Sequence, residues 1–132
     1  MLSVPDEYRL FARLVKRVIV MDVLYRALLC DIRWMESQPF KLKRGILDGL
    51  VRLSIQVEEE WRETKQQLRR CGGEIVEVKQ KRDCREVRAR FRGFIHTQRF
   101  FNEWIRAECE KQLIQIWTGK NTSQTLSFFR PS

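Results

Sequence analysis

Basic side chains are concentrated between residues 79 and 99. This stretch holds Lys79, Lys81, Arg82, Arg85, Arg88, Arg90, Arg92 and Arg99, against only two acidic residues, Asp83 and Glu86. Guanidinium groups bind phosphate oxygens, so the composition suits a polyanion such as nucleic acid. In an extended strand, Arg88, Arg90 and Arg92 project from one face about 6 to 7 Å apart, a spacing that suits successive phosphates. The candidate phosphate-binding residues are therefore Arg85, Arg88, Arg90, Arg92 and Arg99.

A competing interpretation gives these arginines no ligand. On a strand face they are either solvated or paired with Glu74 and Glu77 of a neighbouring strand. Phe91 and Phe94 fall on the packing side of such a strand, which leaves them unavailable for stacking on bases. Binding would then be electrostatic and independent of base sequence. No helix-turn-helix spacing or RNA-recognition sequence is present to strengthen the nucleic-acid hypothesis.

Catalytic constellations are hard to build from this composition. The chain has one histidine, His96, and the residue three positions before it is Gly93, whereas a di-iron bundle needs two Glu-x-x-His motifs. There is no GxSxG nucleophile elbow and no glycine-rich phosphate loop. His96 lies between Ile95 and Thr97, and we predict a packing role for it. We expect a non-enzyme without a cofactor.

Four cysteines, Cys30, Cys71, Cys84 and Cys109, are spread along the chain without a CxxC pair. No close Cys/His pair can start a zinc site, so we expect reduced thiols that pack in the core. The first residues lack the pattern of a signal peptide, from which a cytoplasmic location is expected. The net charge of +9 favours acidic partners, whether nucleic acid, anionic lipid or an acidic protein.

The stretch Val18–Cys30 must organise the fold, because only Asp22 and Arg26 in it are ionisable. Apolar residues at steps of three and four predict a helix from about Asp6 to Ser37 that is apolar nearly all round and needs neighbours on several sides. The run is too short and too interrupted to span a bilayer. Asp22 and Arg26 lie four residues apart, which predicts an ion pair within the helix; alternatively, Asp22 points into a cavity or across an interface.

A second helix is predicted from about Lys41 to Arg70, joined to the first by a few residues and therefore antiparallel to it. Gly45 and Gly49, four residues apart, either let another helix approach closely or merely weaken the first turns. Gly72-Gly73 ends this helix.

The period of the apolar residues changes after the glycine pair. Alternation over Glu74–Lys79 and Glu86–Arg92 predicts a β-hairpin with a turn near Cys84. A helical alternative exists, because Cys84, Val87, Phe91 and Phe94 also fit a spacing of three and four. Gly93 ends the segment, and a third helix is predicted from about Phe94 to Thr118.

The predicted fold is mainly α: a bundle of three helices, the first two long and antiparallel, with a small β-hairpin between the second and third. Residues 1–118 form a single domain, with the hairpin at about 74–92, and residues 119–132 form a flexible C-terminal tail. Leu126, Phe128 and Phe129 in that tail dock on the body, bind a partner, or pack loosely.

The leading functional prediction is a non-catalytic cytoplasmic interaction protein, with no membrane association, that self-associates through the first helix. Three helices hardly cover a helix with so much apolar surface, so a second copy or another protein is expected to do so. The proposed anchors of this interface are Val18, Met21, Tyr25, Leu28 and Ile32. The alternative is a basic protein that binds nucleic acid through the 79–99 segment. A third class, an enzyme with an unrecognised carboxylate site, requires a pocket lined by Asp22 or His96.

Overall fold

Two long helices, a three-stranded sheet and a shorter helix follow one another in the computed structural model, which describes residues 4–119. The elements are α1 (Val4–Glu36), α2 (Lys43–Arg70), β1 (Gly73–Gln80), β2 (Cys84–Phe91), β3 (Phe94–Phe101) and α3 (Asn102–Thr118). The predicted class, mainly α with three helices of which the first two are long, is confirmed. The predicted two-stranded hairpin is wrong in one respect, because the sheet has a third strand.

Helices α1 and α2 form an antiparallel hairpin. Residues 37–42 connect them, and Pro39 in this connection has no N–H with which to continue a helix. The guanidinium of Arg17 in α1 lies 3.0 Å from a carboxylate oxygen of Glu60 in α2, which fixes the register of the pair. At 33 and 28 residues, the two helices are about 50 and 42 Å long.

The sheet is an antiparallel meander in the order β1-β2-β3. Its second turn consists of two residues, Arg92 and Gly93, with φ angles of 54° and 80°. Positive φ at both positions is typical of the tight type I′ turn, and it places Phe94 directly opposite Phe91. The chain therefore returns as β3, and the prediction that Phe94 starts a helix is wrong: α3 begins at Asn102.

One face of the sheet packs on α1. Val87, Ala89 and Phe91 of β2 are buried on this face, and the ring of Phe91 stacks on Phe11 of α1 with 4.6 Å between ring centroids. Arg88 and Arg90 alternate with them and are exposed on the opposite face. The burial pattern of β2 is the alternation that its sequence predicts.

Helix α1 is the centre of the molecule, packed by α2, the sheet and α3 within the described residues. Its buried residues are Phe11, Leu14, Val15, Val18, Ile19, Val20, Met21, Leu24, Leu28 and Ile32. Helix α3 contacts it through Cys109, whose thiol lies 3.5 Å from the carbonyl oxygen of Val20. Between residues 4 and 119, neither α1 nor any other helix is long and apolar enough to cross a membrane.

Candidate interaction surfaces

The five residues predicted to anchor a partner are packed within the chain itself. Val18, Met21, Leu28 and Ile32 are buried in the core, and Met21 is 0% exposed. Tyr25 is half-buried, and its ring stacks on Trp61 of α2 with centroids 6.2 Å apart. The sequence correctly indicated that α1 needs neighbours on several sides. In this structure the chain's own α2, sheet and α3 are those neighbours.

Among the exposed large apolar side chains of the described residues, eight lie on the second half of α1, at the start and first half of α2, and on the last turns of α3. Five others lie on the strands of the sheet. The eight, which we call the hairpin-end surface, are Leu29, Trp34, Leu42, Ile46, Val51, Ile55, Ile114 and Trp117. In α1 no described residue after Ile32 is buried, and in α2 none before Leu53 is buried. Helix α3 has 17 residues, about 26 Å, roughly half the length of α1. The last turns of α3 reach the first half of α2 but leave these apolar side chains exposed.

An apolar groove runs between the first half of α2 and the last turns of α3. Its volume is about 350 Å³, and we call it the α2–α3 groove. It is lined by Gly45, Ile46, Gly49, Leu50, Arg52, Leu53, Gln56, Ile116 and Trp117. A Cβ atom added at Gly45 or Gly49 would meet no described atom within 4 Å. The two glycines therefore leave open space on this side of α2, and no described helix packs closely against their backbone.

Three of the candidate phosphate-binding arginines lie on the outer face of the sheet, and each forms a cross-strand ion pair. The Arg88 guanidinium is 3.5 Å from Glu77, and that of Arg90 is 3.5 Å from Glu74. These are the two partners that the competing interpretation named. Arg99 of β3 lies 3.0 Å from Glu86 of β2.

The carboxylate of Glu86 lies between two cations. The hydrogen bond from Arg99, together with a further contact from Lys81 at 3.3 Å, holds the pKa of Glu86 below its ordinary value. Carboxylates therefore offset much of the positive charge of the outer face, and a polyanion has to compete with them for the arginines.

The other two candidate arginines point elsewhere. Arg85 faces α1, where its guanidinium lies 3.7 Å from Asp22, and its Nε donates a hydrogen bond to the side-chain oxygen of Gln80. Arg92 belongs to the turn after β2 and pairs with Glu7 of α1. The prediction that Arg88, Arg90 and Arg92 share one face is therefore wrong, because β2 ends before Arg92.

Asp22 has the partner predicted within its own helix and a second one outside it. The Nε of Arg26 donates a hydrogen bond of 3.0 Å to one carboxylate oxygen, and Arg85 approaches the other oxygen from the sheet. The carboxylate thus links α1 to β2. Arg85 could not be recognised as a partner from sequence, because the two residues are 63 positions apart.

A second, shallower cleft combines basic and aromatic side chains beside Arg99. It has a volume of about 500 Å³ and is lined by Lys16, Gln98, Arg99, Phe100, Phe101 and Trp104. The Trp104 ring stacks near Phe100, with centroids 5.7 Å apart, and the Lys16 ammonium lies 5.4 Å from the Trp104 centroid. Phe101 is largely exposed. This cleft was not predictable once Phe94–Phe101 was assigned to a helix, because its aromatic and basic residues lie on and beside β3.

His96 and two of the four cysteines occupy packing positions, whereas the expectation that the thiols pack in the core is wrong for Cys30. The imidazole contacts the rings of Tyr8 and Phe11, with centroids 5.1 and 5.5 Å away, in agreement with its predicted packing role. Cys84 and Cys109 are buried, and burial raises the pKa of the Cys109 thiol to about 11. Cys30 is exposed. Among residues 4–119, no group of three or more His, Cys, Asp or Glu side chains is placed to hold a metal ion.

Comparison with known proteins gives one match. The model of a family described as YhjD protein matches residues 10–121, a range that includes all three strands, α2, α3 and most of α1. No curated protein and no solved structure matches the chain. Since the family match covers most of its length, the chain belongs to the YhjD family.

Proposed function

We propose that this protein is a non-catalytic interaction protein that self-associates through the hairpin-end surface. The observation that carries the proposal is the exposure of eight large hydrophobic side chains on the second half of α1, the start and first half of α2 and the last turns of α3. Large apolar side chains exposed in such number on neighbouring helices are typical of protein interaction sites. The expected location remains the cytoplasm.

Helix geometry supports this choice of surface over the anchors predicted from the sequence. Dissociating Met21 or Val18 from the core to reach a partner would require opening the packing of α1, whereas Trp34 and Leu42 are 64% and 73% exposed already. A second α1–α2 hairpin laid against the first would supply the neighbours that α3 is too short to provide. Such a contact buries apolar surface and is therefore insensitive to salt.

Light scattering of the purified chain and the Trp34→Glu variant tests the proposal. We expect a dimer for the wild type at low and high salt and a monomer for the variant, with unchanged helicity by circular dichroism because Trp34 is exposed. Phe94→Glu is the matched control: Phe94 is 71% exposed but lies at the turn of the sheet, so the dimer should persist. A monomeric wild type, or a dimer that survives Trp34→Glu, would refute the proposal.

Nucleic-acid binding is the second candidate function, and the cleft beside Arg99 is the observation that favours it. Single-stranded nucleic acid is bound elsewhere by cationic grooves that also offer aromatic rings, and Lys16, Arg99, Phe101 and Trp104 provide both. The cleft adds a possibility of base stacking that the outer arginines lack. Glu86 opposes it by neutralising Arg99.

A salt series of binding to a fluorescent single strand distinguishes the two candidates. If the cleft and the outer face bind phosphates, affinity falls steeply with salt, and the triple variant Arg88→Ala, Arg90→Ala, Arg99→Ala weakens it further. The control removes the same number of charges by replacing three exposed arginines on α2 and α3 with alanine, namely Arg52, Arg62 and Arg106. Equal loss in both variants would indicate attraction by net charge alone and would remove the site.

A further inference from the structure

We propose that the α2–α3 groove is filled by the chain's own segment 120–132, whose Leu126, Phe128 and Phe129 side chains enter it. This inference does not depend on self-association: Ile46 and Trp117 belong to both surfaces, and a segment in the groove would leave Leu29, Trp34, Leu42 and the other exposed residues for a second copy. The segment lies outside the described residues, so the argument rests on the groove, on the point at which α3 ends, and on the sequence that follows.

The groove has the chemistry of a receptor for apolar side chains. Ile46, Leu50 and Leu53 of α2 form one wall, and Ile116 and Trp117 of α3 form the other. Between these walls, the missing side chains of Gly45 and Gly49 leave open volume on the same side of α2. Helix residues without side chains at positions four apart let another segment come close to the backbone.

The point at which α3 ends is defined by hydrogen bonds of its last residues. Thr118 is buried, and its hydroxyl donates a hydrogen bond of 2.8 Å to the carbonyl oxygen of Ile114. Gly119 donates its N–H to the carbonyl oxygen of Ile116 and has a φ of 87°, which turns the chain away from the helix axis. The last described residue, Gly119, therefore follows closely on Ile116 and Trp117, two of the residues that line the groove.

The segment is long enough to reach every part of the groove. Leu126 is seven residues beyond Gly119, so an extended chain places it up to about 25 Å away. The α2 side of the groove, from Gly45 to Gln56, is about 17 Å long. Three large hydrophobic residues fall within four positions of a segment that has no acidic residue and is otherwise polar, apart from Pro131.

Covalent attachment favours this occupant over others. A segment tethered at the rim of a groove is present at a high effective concentration, of the order of millimolar for a short flexible connection. A separate peptide or a second copy must supply comparable concentration from solution. The chain's own segment is therefore the occupant expected in dilute protein.

The experiment is methyl and aromatic NMR on the full chain at a concentration where light scattering shows one mass. We expect nuclear Overhauser effects between the rings of Phe128 or Phe129 and the methyl groups of Ile46 or Leu53. The triple variant Leu126→Ala, Phe128→Ala, Phe129→Ala should shift the methyl signals of Ile46, Leu53 and Ile116. The control, Thr122→Ala with Ser123→Ala, should leave them unchanged.

A second variant tests the groove without altering the segment. Gly49→Leu places a side chain in space that is open among the described residues, so the fold should persist. By displacing the segment from the groove, the variant should raise the rate of trypsin cleavage after Lys120 severalfold. Glu59→Leu, an exposed site on α2 outside the groove, is the control. If the methyl signals of Ile46, Leu53 and Ile116 have the same chemical shifts in the triple variant as in the wild type, the proposal is wrong. Ring-to-methyl contacts seen only between differently labelled copies would also overturn it, because they would assign the groove to a second copy.

Discussion

Replacing Gly73 with alanine should destabilise the fold, because this glycine is where α1, α2 and the sheet meet. Gly73 opens β1 directly after the turn that follows α2, and it is buried. A Cβ atom there would lie 2.6 Å from Cδ1 of Leu68 and 2.7 Å from Cδ1 of Phe11. Neither side chain is free to move away: Leu68 is buried, and the Phe11 ring is 0% exposed and stacked on Phe91.

The magnitude follows from two opposing effects on the free energy of unfolding. Adding a methyl group to a filled core costs about 1–3 kcal/mol. Alanine also restricts the unfolded chain, which returns about 0.4–1 kcal/mol. The backbone adds no strain, since φ at Gly73 is not in the left-handed region. We expect a net loss of about 1–2 kcal/mol, or a melting temperature lower by roughly 3–10 °C for a domain of this size.

Urea and thermal unfolding followed by circular dichroism measure the effect. Gly49→Ala, made in the triple variant of segment 120–132 that empties the groove, is the matched control, because the same chemical change falls in a helix interior with no described atom within 4 Å of the new Cβ. There the gain in helix propensity should stabilise the chain by up to about 1 kcal/mol. If Gly73→Ala is as stable as the wild type, the contact between Leu68, Phe11 and the start of β1 is looser than the structure shows.

Two further predictions concern ionisable groups. Arg99→Ala removes a hydrogen bond to Glu86 and should therefore raise the Glu86 pKa toward its ordinary value, which NMR titration of the side-chain carboxyl carbon would show. Because the pKa of Glu86 is lower in the folded than in the unfolded chain, the pair stabilises the fold at pH values above the unfolded pKa. This contribution disappears as the pH falls through the native pKa. A thiol reagent at neutral pH should modify Cys30 rapidly and leave Cys109 protected until the chain unfolds, because Cys109 is buried and has a pKa of about 11. Peptide mass spectrometry distinguishes the two sites, and early modification of Cys109 would contradict its burial between α3 and α1.

Helices α1 and α2 were predictable within a few residues because their apolar spacing is long and regular. The predicted range Asp6–Ser37 compares with Val4–Glu36, and Lys41–Arg70 with Lys43–Arg70. Periodicity over seven or more turns outweighs local ambiguity. The end of α2 was equally predictable from the glycine pair, and the structure agrees: Gly72 has a φ of 88°, a conformation that favours glycine.

Strand β3 was not predictable from the same pattern. Its inward positions include His96 and Gln98, which pair with Ala89 and Val87 of β2, so polar residues interrupt the alternation that marks a strand. The turn that creates β3 needs a positive φ at Arg92, a conformation that arginine seldom adopts. Gly93 alone therefore resembled the end of a segment and not the second half of a tight turn.

Missing β3 also affected the predicted interaction site. With two strands and three helices, α1 had too few neighbours, and its apolar residues were assigned to a partner. The third strand widens the sheet and extends it directly into α3, which then packs on Val20 through Cys109.

Of the candidate arginines, the cross-strand partners of Arg88 and Arg90 were named from sequence, because opposite charges on neighbouring strands follow from the register.

The central position of α1 sets an order for biosynthesis. The ribosome makes this most apolar helix before the elements that surround it, and α3, which covers one of its sides, is finished 82 residues after α1 ends. At typical synthesis rates of about 5–20 residues per second, that interval lasts roughly 4–16 s. During it, α1 pairs first with α2 and then with the sheet, while the side that later meets α3 stays open to water. The nascent chain is therefore expected to bind chaperones that recognise apolar helices and to release them when α3 emerges.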